Sequence, residues 1–109
     1  MNEDVEMYIS LAEIAYKSGN TAKAIVYAES AIESGADYSK SVALRIFTAR
    51  CLSKLGKYDE SNKIYRTLIN ENNYIPPVIM GLLYNNFKTS EINAKKISRN
   101  LGLIKLYVR

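Results

Sequence analysis

Leu55-Gly56-Lys57-Tyr58-Asp59-Glu60-Ser61 is the stretch that decides the fold of this chain. Upstream of it, Val42, Leu44, Ile46, Phe47, Ala49 and Leu52 recur at helical spacing, and Tyr58, Ile64, Tyr65, Leu68 and Ile69 do so downstream. Apolar residues repeating every three or four positions form one face of an amphipathic helix. Glycine at a helix end can adopt the left-handed conformation that stops the helix. Asp59-Glu60 opens the second stripe with negative charge, which favours a helix N-terminus. The stretch therefore predicts two helices joined by a tight turn, and helices joined this closely pack antiparallel.

The same design recurs on either side. Gly19 separates Val5, Tyr8, Ile9, Leu11, Ala12, Ala15 and Tyr16 from Ala24, Ile25, Tyr27, Ala28, Ala31 and Ile32. A third unit starts at Pro76-Pro77, where a missing N–H costs a first helical turn nothing. Its first helix is expected over Val78 to Phe87, and Thr89 or Ser90 is expected to cap a second helix running to about Arg99. Asn100-Leu101-Gly102 reads as a stop, followed by a short helical tail. Laid over one another, the units place Ala12, Ala49 and Gly81 at one position and Ala24, Ser61 and Ala94 at another. Small residues there allow two helix backbones to approach closely. The spacing is 37 residues, then 32 or 33, within the range of helical-hairpin repeats. The expectation is an all-α single domain over 1–109: three antiparallel hairpins (about 4–34, 38–71 and 76–100) stacked as a short right-handed solenoid, with an extension at 101–109.

These residues resemble the tetratricopeptide repeat. That pattern has a large residue, then Leu-Gly, then Tyr in its first helix, and Ala, an aromatic and Ala in its second. The first unit offers Tyr8, Leu11-Ala12, Ala15, Ala24, Ala28 and Ala31; the second offers Arg45, Thr48-Ala49, Leu52, Ser61, Tyr65 and Leu68. In the third, Met80-Gly81 and Tyr84 fit, with Ala94 one residue late, and the proline that usually closes each repeat is missing after the first two units. More narrowly, the length, the helix around Leu11-Ala12-Glu13-Ile14-Ala15 and the Pro77 to Tyr84 segment resemble the small tetratricopeptide-like chaperones of type III secretion needle subunits. That resemblance implies a bacterial, cytoplasmic chaperone. It would hold the C-terminal helix of a needle protein in a concave groove and pair with a small helical co-chaperone.

Composition narrows the chemistry. Apolar residues make up 48% and charged residues 24% of the chain, ordinary for a globular protein. The start, Met1-Asn2-Glu3-Asp4, lacks the basic and apolar character of a secretory signal. Histidine is absent and Cys51 is alone. Zinc sites and proton transfer near neutral pH lose their commonest ingredients, and no cofactor or metal is expected. Cys51 is expected to be a buried structural thiol, and enzymatic function is not expected. The charge is uneven: residues from Lys88 onward carry a net +5, and the first 87 a net −1. Lys88, Lys95, Lys96 and Arg99 raise nucleic acid or acidic lipid as an alternative partner. Only Phe87 and Tyr107 lie nearby to stack on bases, which favours a solvated basic face or an acidic protein partner.

Stacked hairpins curve and bind on the concave side. The inward positions of each unit's first helix are Ile9, Glu13, Tyr16 and Lys17; then Ile46, Arg50, Ser53 and Lys54; then Val78, Leu82, Asn85 and Asn86. Ile9, Tyr16, Ile46, Val78 and Leu82 are expected to form an apolar floor for the face of an amphipathic helix. Apolar residues at this spacing serve more often as core. The polar members would fix register. A tail-binding adaptor would instead aim Arg50 and Lys54 at a terminal carboxylate. The first helix has no hairpin before it, so Met7, Tyr8 and Leu11 are expected to dock a second subunit.

Overall fold

A computed structural model describes the backbone of residues 2–108 and the side chains of residues 3–100. It contains α1 (Asn2–Lys17), α2 (Thr21–Glu33), α3 (Tyr38–Lys54), α4 (Tyr58–Asn70) and α5 (Pro76–Val108), and no strand among the described residues. Each helix packs on the next, and α5 also touches α3. The molecule is elongated, 68 × 32 × 17 Å.

The turns form where the glycines predict them. Gly19 and Gly56 have φ of 86° and 80°. In each case the following residue's N–H reaches back into the last helical turn: Asn20 to the Ala15 carbonyl at 2.8 Å, and Lys57 to the Leu52 carbonyl at 2.8 Å. Asn72 does the same after α4 with φ 68°, helped by Asn73 N–H on the Leu68 carbonyl. The side chains of Asn20 and Asp37 cap α2 and α3 by accepting from the N–H groups of Lys23 and Lys40, satisfying donors a helix start leaves free.

The small-residue register holds in the first two hairpins. Ala12, Ala24, Ala49 and Ser61 are all buried. Around them lie three packed groups, centred on Ala28 and Leu44, on Cys51, and on Tyr65 and Leu68.

The third unit departs from expectation. In place of a hairpin broken at Thr89 or Ser90, α5 runs unbroken for 33 residues, about 50 Å at helical rise. Thr89 Oγ1 donates to the Asn85 carbonyl one turn back instead of capping a new helix, a competing use of such hydroxyls. Glu91 reaches Lys88 at 3.8 Å and Lys95 at 3.7 Å, bracing the helix across the expected break. The backbone also passes through Gly102, where a stop was expected, at a cost of about 1 kcal/mol against alanine. Ala94, expected in the small-residue joint, is exposed. The side chains of the tail at 101–109 lie outside the described residues.

Candidate functional site

The inward faces of α1, α3 and the first half of α5 border a groove of about 520 Å³. From α1 comes Tyr16. From α3 come Arg50, Ser53 and Lys54. The far wall is α5, through Pro77, Met80, Gly81 and Tyr84. Their spacing on α5 is one helical stripe, and Pro77 starts it in the first turn. Lys54 Nζ stands 4.5 Å from the centre of the Tyr16 ring, a cation–π contact. Among the described residues, two cations border the groove and no carboxylate does.

A smaller cleft of about 180 Å³ lies between α1 and α3, bordered by Ile9, Glu13, Lys40, Ala43 and Phe47 among others. Ile9, Glu13 and Tyr16 form one stripe of α1; Lys40, Ala43, Phe47, Arg50 and Lys54 form one stripe of α3. The two hollows therefore open on the same side. The Tyr16 and Phe47 rings, 5.6 Å apart, meet between them. Lys40 is engaged by Glu6 at 2.8 Å, which raises its pKa.

The back wall is held by a buried polar cluster. Asn85, fully buried, accepts from Ser53 Oγ at 2.7 Å and donates to Ser61 Oγ at 2.8 Å and Asn62 Oδ1 at 2.7 Å. Ser61 Oγ in turn donates to the Ala49 carbonyl at 2.6 Å. One amide thus ties α5 to both α3 and α4 with its polar atoms satisfied. Beside it, Tyr65 is 1% exposed, and a Cβ placed on Gly81 would collide with the Tyr65 ring. Burial pushes the Tyr65 phenol up in pKa, against the lowering charge of Arg50.

Five of the twelve expected groove residues meet at the larger hollow: Tyr16, Arg50, Ser53, Lys54 and Asn85. Ile9 and Glu13 border the smaller one. The expected apolar floor is largely core. Val78 is completely buried, and Ile46 and Leu82 pack against the cluster of Tyr65 and Leu68. The α5 face carrying Val78 and Leu82 packs on residues of α3 and α4. Asn85 is spent within the protein and Asn86 is exposed. Lys17 is exposed and borders neither hollow. Reading the sequence for the third unit's inward face picked the stripe of Val78, Leu82 and Asn85. The groove uses the neighbouring stripe of Pro77, Met80, Gly81 and Tyr84, equally visible as a helical spacing.

Of the expected docking residues on α1, Met7 is 46% exposed. Tyr8 and Leu11 are half-buried, and Tyr8 stacks on Tyr27 at 6.4 Å. Ile14, 63% exposed, continues the Met7–Leu11 spacing. Cys51 is buried, with its thiol pushed up in pKa by that burial. Among the described residues no cluster of carboxylates, histidine and cysteine is arranged to hold a metal, and no helix is long and apolar enough to cross a membrane.

A scan of the chain against protein-family models, curated proteins and solved structures found no match.

Proposed function

We propose that this protein is a tetratricopeptide-like binding module that holds an amphipathic helix of another polypeptide along the side shared by α1, α3 and α5. The observation carrying this is the groove where Met80 and Tyr84, 63% and 53% exposed, stand uncovered beside Arg50 and Lys54. Apolar rings and a thioether take the apolar face of a helix, and the two cations suit acidic residues flanking that face. By its resemblance to the needle-subunit chaperones, the occupant is the C-terminal helix of a needle protein, held in the bacterial cytoplasm before export. A small co-chaperone would sit on the α1 face of Met7, Leu11 and Ile14.

The pairing of Arg50 with Lys54 at one hollow favours a second reading, an adaptor gripping the terminal carboxylate of a peptide tail. Fluorescence anisotropy with a labelled acidic amphipathic helix decides between them. Helix holding predicts equal binding of the free-acid and amidated peptides, and loss with Met80→Asp or with Lys54→Glu. Tail gripping predicts binding of the free acid alone. No binding of either peptide, together with no small helical protein in a native copurification, would sink both.

A further inference from the structure

The larger groove contains a polar group that holding an apolar helix face leaves unused. Tyr65 borders the groove, with the phenol end of its ring against Gly81, where a side chain would collide with it. The polar cluster beside it bonds among Ser53, Ser61, Asn62, Asn85 and the Ala49 carbonyl. Among the described residues the Tyr65 hydroxyl joins none of these bonds. Nor is its oxygen sealed off: the unpartnered side-chain atoms closed to solvent are Arg45 Nε and Thr48 Oγ1. A tyrosine 1% exposed thus keeps an unpaired hydroxyl that opens on the groove, whereas buried polar groups ordinarily have a partner.

The surrounding charges say what kind of partner fits. Arg50 and Lys54 border the same groove, and the ion pairs among the described residues involve neither. Lys54 is held over the Tyr16 ring, which keeps its ammonium at the groove. Burial raises the pKa of the Tyr65 phenol and the Arg50 charge opposes that, so near neutral pH the hydroxyl keeps its proton and can donate. Ser53 and Asn85 are already spent on each other. What remains is two cations and a hydroxyl donor, a set that suits an anionic acceptor. Apolar surface lies on both sides of it. Phe47, one turn before Arg50 on α3, borders the smaller hollow, and Met80 and Tyr84 form the opposite wall of the larger one. A chain terminus seated here would leave one of those surfaces uncovered; a carboxylate carried in mid-helix lets the occupant cover both.

We infer that the Tyr65 hydroxyl, together with Arg50 and Lys54, receives the side-chain carboxylate of a Glu or Asp set within the apolar face of the bound helix. This rests on the helix-holding reading and adds to it the chemistry that tells one amphipathic helix from another. The hydroxyl and the Arg50 N–H groups donate, and the carboxylate accepts.

Two labelled leucine-faced helical peptides, blocked at both ends and differing only by one Glu or Gln in the middle of that face, test this by fluorescence anisotropy. The Glu peptide is expected to bind about tenfold more tightly, as hydrogen bonds to a charged group do. Tyr65→Phe keeps the buried ring, with folding checked by thermal unfolding, and is expected to bring the Glu-to-Gln ratio down severalfold. Arg50→Gln, at an exposed position, is expected to lower it further. Lys63→Ala, beside a different hollow, is expected to leave the ratio unchanged. Equal binding of the two peptides by the wild-type protein overturns the inference while leaving helix holding intact. So does a ratio that survives a folded Tyr65→Phe. Binding of neither peptide overturns helix holding and this inference with it.

Discussion

The two hairpins share one plan and close it by different chemistry. In the first, Ala12 of α1 meets Ala28 and Ala31 of α2, and Ala15 meets Ala24, all buried and all without a polar atom in the side chain. In the second, Ala49 of α3 meets Ser61, Tyr65 and Leu68 of α4. Ser61 stands where Ala24 stands in the first hairpin, and its hydroxyl bonds the Ala49 carbonyl and receives the Asn85 amide. The open end of the second hairpin is also clamped: Arg45 reaches Glu71 through two N–H groups at 2.8 and 3.1 Å, and the Tyr38 hydroxyl donates to the same carboxylate. The first hairpin has only to meet α3. The second must hold a 33-residue helix by its first three turns, and directional hydrogen bonds and one large ring specify that docking where small apolar residues would leave it free to slide.

The largest effect should come from removing the ring on which the second hairpin closes. Tyr65→Ala is expected to cost about 3–5 kcal/mol in denaturant unfolding, the usual price of truncating a buried aromatic. A loss under about 1 kcal/mol would mean that α5 does not rest on that ring. Gly81→Ala comes next, at about 2–3 kcal/mol, since the new methyl overlaps the Tyr65 ring and overpacking strains a close-packed joint. The same substitution in a Tyr65→Leu background should cost markedly less; equal costs in both backgrounds would remove the collision as the cause.

Ser61→Ala converts the second joint to the first hairpin's chemistry. It leaves the Ala49 carbonyl and the Asn85 amide each one partner short, for an expected loss of about 1–2 kcal/mol. Thermal denaturation of Ser61→Ala beside Ala24→Ser would show whether the hairpins differ as described: a serine that costs nothing at position 24 would blur the distinction. The smallest effect is electrostatic. The Arg45 guanidinium and then the Tyr38 hydroxyl hold the Glu71 carboxyl down from 4.5 to about 2. A depressed carboxylate stabilises the fold above its unfolded value and loses that contribution as pH falls through the folded one. Stability should therefore decline as pH drops from about 4.5 toward 2, and Glu71→Gln should flatten that decline. An unchanged acid profile in Glu71→Gln would remove the clamp from the account.

Much of the body was legible in order along the chain. Gly19 and Gly56 mark turns because the left-handed backbone there nearly excludes other residues, and Ala12, Ala24, Ala49 and Ser61 mark joints because only small side chains fit between close helices. Thr89 and Ser90 misled because a hydroxyl can cap a new helix or bond back within an old one, and local sequence carries no rule to choose. The same ambiguity hid the groove: Val78 and Met80 both lie on apolar stripes of α5, and which stripe is core depends on what packs against it.

By itself the sequence determined that the chain is helical, where its first four helices begin and end, and which small residues bring them together, since these follow from backbone propensity and periodicity within a few turns. Only the tertiary structure decided that α5 continues where a hairpin was expected, that Asn85 is spent as an internal tie, and that Met80 and Tyr84 face the groove. The last two outcomes depend on contacts between residues 20 or more positions apart, such as Asn85 with Ser61, whose geometry no local spacing encodes.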